Sequence, residues 1–91
     1  MKSYGLVLFV TGDAPRSARA RGNLERALEG LDRESLVVEE VDLIQQPQRA
    51  LDYGVFATPA LALVTTEGAQ QFLYGDLSDE ASLHRFLEPV A

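Results

Sequence analysis

Few side chains in this sequence have the makings of a reactive group, and their spacing limits what each can do. There is no cysteine among the 91 residues. That excludes disulfides, thiolate zinc sites and any thiol nucleophile. Ser17 is a hydroxyl within the first turn region, Thr11–Ser17, but a free hydroxyl is a weak nucleophile, and no histidine or lysine lies nearby in sequence to activate it. His84 is the single histidine. A metal site needs several donors at set spacings, so His84 reads as a surface residue of the last helix. Asp76, Asp79 and Glu80 could hold a cation, but turn and helix-capping chemistry accounts for the same three positions. Tyr4, Tyr53 and Tyr74 read as core or rim aromatics rather than stacking platforms. The sequence therefore assigns no catalytic, cofactor-binding or metal-binding residue.

Charge narrows the partners. The formal net charge is −6, so nucleic acid, which needs a basic field, is not an expected partner. Arg16, Arg19, Arg21 and Arg26 make up half of the 8 basic residues. Two readings of that cluster stand side by side: a solvated helix face, or a docking patch for an acidic surface. No segment approaches the roughly 18 consecutive apolar residues of a membrane span. Met1-Lys2-Ser3-Tyr4 runs straight into a strand-like stretch without a cleavage site of the signal-peptide kind, and a cytoplasmic location is the expectation. The length suits one domain, residues 1–91, and with 46% hydrophobic residues a core can form without staples.

The elements that must position these residues follow from the apolar pattern. Gly5–Val10 is a continuous apolar run and reads as a buried strand. Thr11 or Asp13 could cap the helix that Pro15 opens. From Pro15 to about Leu31, Ala20, Leu24, Ala27, Leu28 and Leu31 share one helical face, with Arg16, Arg19 and Arg26 on another. Leu36–Asp42 is a second strand, and its Glu39-Glu40 pair suggests an edge. A short helix spans Gln46–Gly54, with Pro47 near its start and Gly54 past its end. Ala60–Val64 and Gln71–Tyr74 are strands joined by a hairpin loop, Thr65–Ala69, containing Gly68. Ser78 caps a last helix whose apolar stripe is Leu83, Phe86 and Leu87, and Pro89 ends it.

The order β-α-β-α-β-β-α predicts parallel pairing first, then an antiparallel hairpin, in a four-stranded mixed sheet. That is the thioredoxin-like α/β plan. Thr58-Pro59 falls where this fold places a cis-proline, and only an X–Pro bond is cis at modest cost. An ordinary trans proline starting a strand is the alternative. The reactive segment of the plan would be Thr11–Ser17, which here holds no thiol.

In order along the chain, several segments resemble the KaiB circadian-clock family. These are Tyr4–Pro15 (YGLVLFVTGDAP), Ser17-Ala18-Arg19-Ala20, Val41-Asp42-Leu43 with Gln46-Pro47-Gln48, Ala57-Thr58-Pro59-Ala60-Leu61 and Gly75-Asp76-Leu77-Ser78. The resemblance implies partner binding without redox or catalytic activity and without a cofactor. In the family, KaiB docks on the ring ATPase KaiC and helps to sequester KaiA. It also switches between a thioredoxin-like monomer and a tetramer with a different C-terminal half. A related domain is the sensor module of a clock histidine kinase. Carried over by motif, Arg19, Pro47 and Gln48 are expected at the partner surface. Arg49, Asp52 and Tyr53 join them by position on the same short helix.

Three departures from the family pattern shape the expectations. Val64–Gly68 replaces a proline run and suits a hairpin, since prolines would remove ladder donors. Phe86 stands where the family has glycine, and adds helix propensity and apolar area. Glu39 replaces a basic residue on a strand used for KaiA contact, which counts against KaiA binding. Gly68 and Phe86 are thus the expected determinants of a chain that stays thioredoxin-like and monomeric, a tetramer being tied to the other fold. A sensor-like docking module of a kinase or ring ATPase without a clock role, and a glutathione-binding enzyme, are the rival functions.

Overall fold

The computed structural model describes residues 4–32, 34 and 36–90. The N-terminal reading of Met1–Ser3 and the final residue Ala91 lie outside them. Strand β1 (Tyr4–Val10) leads to helix α1 (Pro15–Leu28), β2 (Leu36–Asp42), α2 (Gln48–Tyr53), β3 (Ala60–Thr65), β4 (Gln70–Tyr74) and α3 (Glu80–Phe86), with a short 3-10 turn at Glu88–Val90. The sheet order is β2-β1-β3-β4. β1 runs parallel to β2 and antiparallel to β3, and β3 runs antiparallel to β4. This is the mixed sheet that the element order predicts.

The continuous apolar run of β1 is explained by its central place, because both of its faces are covered. Leu6, Leu8 and Val10 join α1 residues Ala20, Leu24 and Leu28, Leu83 of α3 and Leu87 at its C-cap in one cluster. Val7 and Phe9 face the other way, with Val41, Ala60 and Ala62, and meet Tyr53 of α2. α1 and α3 therefore cover one sheet face and α2 the other. The Thr58–Pro59 peptide bond is cis. Phe86 is half-buried against the larger cluster, so only part of its apolar area leaves water.

Three local expectations are corrected. Neither Thr11 nor Asp13 caps α1: Ala14 takes the N-cap position without a side-chain bond, and the Ala14 N–H goes to the Thr11 carbonyl at 3.2 Å. The proline at the first helical position reduces the need for a cap, since it has no N–H to satisfy. α1 also stops at Leu28 rather than Leu31. The Leu31 N–H turns back to the Leu28 carbonyl at 3.1 Å, which keeps Leu31 on the core without another helical turn. Finally, Asp79, not Ser78, caps α3. Its carboxylate accepts from the Ser82 N–H at 3.2 Å and the Ser82 hydroxyl at 2.9 Å. A carboxylate offers two oxygens to the positive helix end where a hydroxyl offers one.

Candidate protein-docking site

The turn after β1 is closed by its own hydrogen bonds. Ser17 is 1% exposed, and its Oγ accepts the Thr11 N–H at 3.1 Å. The Thr11 and Thr58 hydroxyls share a hydrogen bond at 2.6 Å, which ties the turn to the cis-proline loop. One oxygen of Asp42 accepts from both the Gly12 N–H (3.1 Å) and the Ile44 N–H (2.9 Å). That carboxylate staples the β1–α1 turn to the β2–α2 turn. Gly12 has φ +51, and a methyl group there would sit 3.2 Å from Ile44 Cδ1, so only glycine fits without displacement. The Thr11 and Ser17 hydroxyls are thus both engaged in holding the turn, and Ser17 is buried.

α2 is a helix of six residues with none of them buried, too short to stand by itself. Its docking comes from side chains. Tyr53 meets Phe9 edge-on, with ring centroids 5.1 Å apart. Arg49 lies 5.5 Å over the Tyr53 ring and makes a two-pronged bond to Glu39 of β2, both arms at 2.9 Å. The pair holds the Glu39 carboxyl below its ordinary value and raises the Arg49 guanidinium further above its own. Gly54 ends the helix at φ +75, in the left-handed conformation expected of glycine there.

With α2 held this way, large apolar side chains on it and on its flanks stay in water. Leu51 is 76% exposed, Ile44 67% and Phe56 84%. Phe56 leans on Tyr74, with centroids 4.6 Å apart. Pro47, Gln48, Arg49, Asp52 and Tyr53 all lie on this element, and Gln48 donates to Asp52 at 3.3 Å. Arg19 does not join them. It is on α1, across the sheet, and donates to Asp76 at 3.0 Å. Hydrogen bonds from Ser78, then from Arg19, hold the Asp76 carboxyl down at about 2.

The arginine cluster divides accordingly. Arg19 pairs with Asp76, and Arg21 with Glu40 through two bonds at 2.8 and 3.0 Å. Asp76 and Asp79 serve the turn and cap, and no group of metal-binding side chains forms among the described residues. Sequence reasoning missed Ile44, Leu51 and Phe56, because an apolar residue in an amphipathic stretch reads as core. For Leu51 the one available signal is the brevity of α2, which leaves too few turns to bury it.

The chain matches the KaiB domain family over residues 7–89. It belongs to the KaiB family. Among its relatives, the circadian clock oscillator protein KaiB of Prochlorococcus marinus subsp. pastoris is 36% identical over 78 residues, covering 86% of this chain and 72% of that protein. The KaiB of a Picosynechococcus strain is equally similar, with 74% of its length covered. In structure, this KaiB-family chain superimposes on a thioredoxin from Halobacterium salinarum with TM-score 0.76 at 24% identity, covering 97% of this chain and 74% of that one. It likewise fits the N-terminal domain of SasA from Synechococcus elongatus with TM-score 0.74 at 21% identity, covering 97% and 83%. These likenesses establish the thioredoxin-like fold. Among the described residues no helix is long and apolar enough to cross a membrane.

Proposed function

We propose that this chain is a KaiB-family clock adaptor that docks on a KaiC-type ring ATPase through α2 and its flanks, without redox or catalytic activity. The observation that carries the reading is the exposure of three large apolar side chains, Ile44, Leu51 and Phe56, on and beside a helix whose arginine is already paired. Exposed apolar area surrounded by polar residues is the signature of a protein interface. Gln48 and Asp52 form the polar surround, with Pro47 and Tyr53 completing the surface. Arg49 positions the helix through Glu39, and Arg19 contributes at a distance by holding the Asp76 turn.

Glu39 is engaged by Arg49, which disfavours KaiA contact on this strand. The closed Thr65–Ala69 hairpin, with Thr65 N–H to the Ala69 carbonyl at 3.0 Å and Gly68 at φ +86, supports a chain that remains in the thioredoxin-like state. Phe86 against the core supports the same state. A cytoplasmic location accompanies this function.

The test is capture of a purified KaiC-type ATPase by the full chain, with ATP and with ADP. Capture in one nucleotide state is the expected result. Leu51→Asp should weaken it by at least about tenfold, the loss of one well-placed anchor, with unchanged circular dichroism because Leu51 is exposed. No capture in either state would overturn the reading, and glutathione binding by calorimetry would favour an enzyme in its place.

A further inference from the structure

The sheet has two edges, β2 and β4, and each pairs with only one neighbour. An unpaired edge is a template for another strand unless charge, proline or a bulge guards it. β2 is guarded on both faces: Glu39 is clasped by Arg49 of α2, and Glu40 by Arg21 of α1. β4, Gln70-Gln71-Phe72-Leu73-Tyr74, has no charge, no proline and no glycine.

We propose, in place of the monomer expected from the sequence, that β4 is a self-association edge, along which two copies of this thioredoxin-like chain pair antiparallel about Phe72 and continue one sheet through both domains. The backbone parity supports this register. The Gly75 N–H donates to the Pro59 carbonyl at 3.0 Å, and the Thr65 N–H to the Ala69 carbonyl at 3.0 Å. Bonded positions recur at every second residue of an antiparallel ladder. Leu73 and Gln71 therefore turn their backbone groups toward β3, and Gln70, Phe72 and Tyr74 turn theirs outward. A two-fold axis at Phe72 sets Phe72 against Phe72, and Gln70 against the second copy's Tyr74. Every outward amide then meets an outward carbonyl.

The side chains suit the same axis. Phe72 stacks on Tyr74 at 6.1 Å, and Phe56 extends the row. The three lie on the α2 face beside the edge, Phe56 84% exposed, and a second copy would cover part of this row. Aromatic pairs across strands are favourable, and no like charges are brought opposite one another.

Charge at the ends selects a second copy over an unrelated strand. Glu67 stands exposed at the hairpin tip, at one end of β4. Arg16 stands at the other: a methyl group on Gly75 would lie 3.9 Å from its Nη2. Arg16 forms no ion pair among the described residues. Antiparallel pairing brings each tip toward the other copy's Arg16, and the symmetry makes that contact twice.

The experiment is sedimentation velocity on the full chain across a concentration series, with hydrogen exchange on the same samples. A concentration-dependent monomer–dimer equilibrium is expected. Protection should rise at the Gln70, Phe72 and Tyr74 amides and stay unchanged along β2. Glu67→Arg or Arg16→Glu alone should weaken the dimer roughly three- to tenfold, since an exposed pair is lost twice. The two together should restore it. Phe72→Lys, which sets like charges on the axis, should abolish it. If that variant does not fold, the charge exchange between two exposed positions decides the matter. A chain that stays monomeric at every concentration, or a dimer that ignores the charge exchange, overturns the proposal.

Discussion

β2 and β4 flank the same two central strands, yet they end the sheet in opposite ways. β2 carries its carboxylates in mid-strand, one to each face, and each is gripped by an arginine from the helix on that face. The edge is thereby charged, and it is also tied to α1 and α2. β4 carries neutral side chains that alternate between the faces, with Leu73 on the larger cluster and Phe72 and Tyr74 on the smaller one. The difference teaches that an edge strand can be read by what its side chains are engaged with. On β2 the charges serve the fold, whereas on β4 nothing commits the backbone to isolation.

The comparison assumes that both edges hang on one rigid centre, and the largest expected effect tests that. Leu61 on β3 is fully buried, opposite Leu8 of β1 and Leu73 of β4. Leu61→Ala should lower stability by about 2–5 kcal/mol, the usual cost of a buried leucine cavity, as measured by denaturant unfolding. Hydrogen exchange in that variant should speed up at β2 and β4 together. If only one edge loosens, the two do not share a centre.

Gly68 offers a smaller effect confined to one edge. A methyl group there meets nothing within 4 Å, but φ is +86. Gly68→Ala should therefore cost about 1–2 kcal/mol through backbone strain alone. The exchange rates of β4 should rise and those of β2 should not. An unchanged melting temperature would mean that the hairpin turn contributes nothing to holding β4.

The smallest effect is electrostatic and belongs to β2. Glu39 has its pKa lowered in the fold, first by the hydrogen bonds from Arg49. A group depressed in the folded state stabilises it above the unfolded value and loses that contribution as pH falls through the folded one. The clamp should therefore hold in full above the ordinary value of 4.5 and weaken below it. Asp76, whose folded value of about 2 lies under an ordinary 3.8, should release Arg19 at lower pH still. In an acid titration followed by NMR, β2 should shift as the Arg49 clamp opens, and the Asp76 turn should hold until pH nears about 2. β4, with no carboxylate, should shift in neither window. Glu39→Gln should remove the part of the β2 response that comes from the Arg49 clamp and leave the response of the Asp76 turn. The effect on stability should be small, because both partners of the clamp are partly exposed and screened by water.

Much of the architecture could be read from local pattern. Gly5–Val10 is apolar at both parities, which only a strand covered on both faces requires. The Glu39-Glu40 pair marked an edge, and Pro47 and Gly54 bracketed a short helix. Caps were harder, because Ser78 and Asp79 are adjacent and either can cap. The choice depends on which carboxylate or hydroxyl reaches the Ser82 N–H. The candidate site was half visible. Pro47, Gln48, Arg49, Asp52 and Tyr53 fall on one element, as their spacing requires, but Arg19 was grouped with them by motif and lies across the sheet.

The order of elements, the lack of a thiol and the family follow from the chain alone, because each rests on composition or on neighbours along it. How the arginines are engaged and which apolar residues stay in water depends on packing between elements distant in sequence. Arg19 and Asp76 are 57 residues apart, and Arg21 and Glu40 are 19 apart. No local periodicity encodes such pairs, which form only once two elements pack. Leu51 stays in water because a six-residue helix pinned by Tyr53 and Arg49 can present only one side to the sheet, and Phe56, beyond that helix, rests on Tyr74 at the surface.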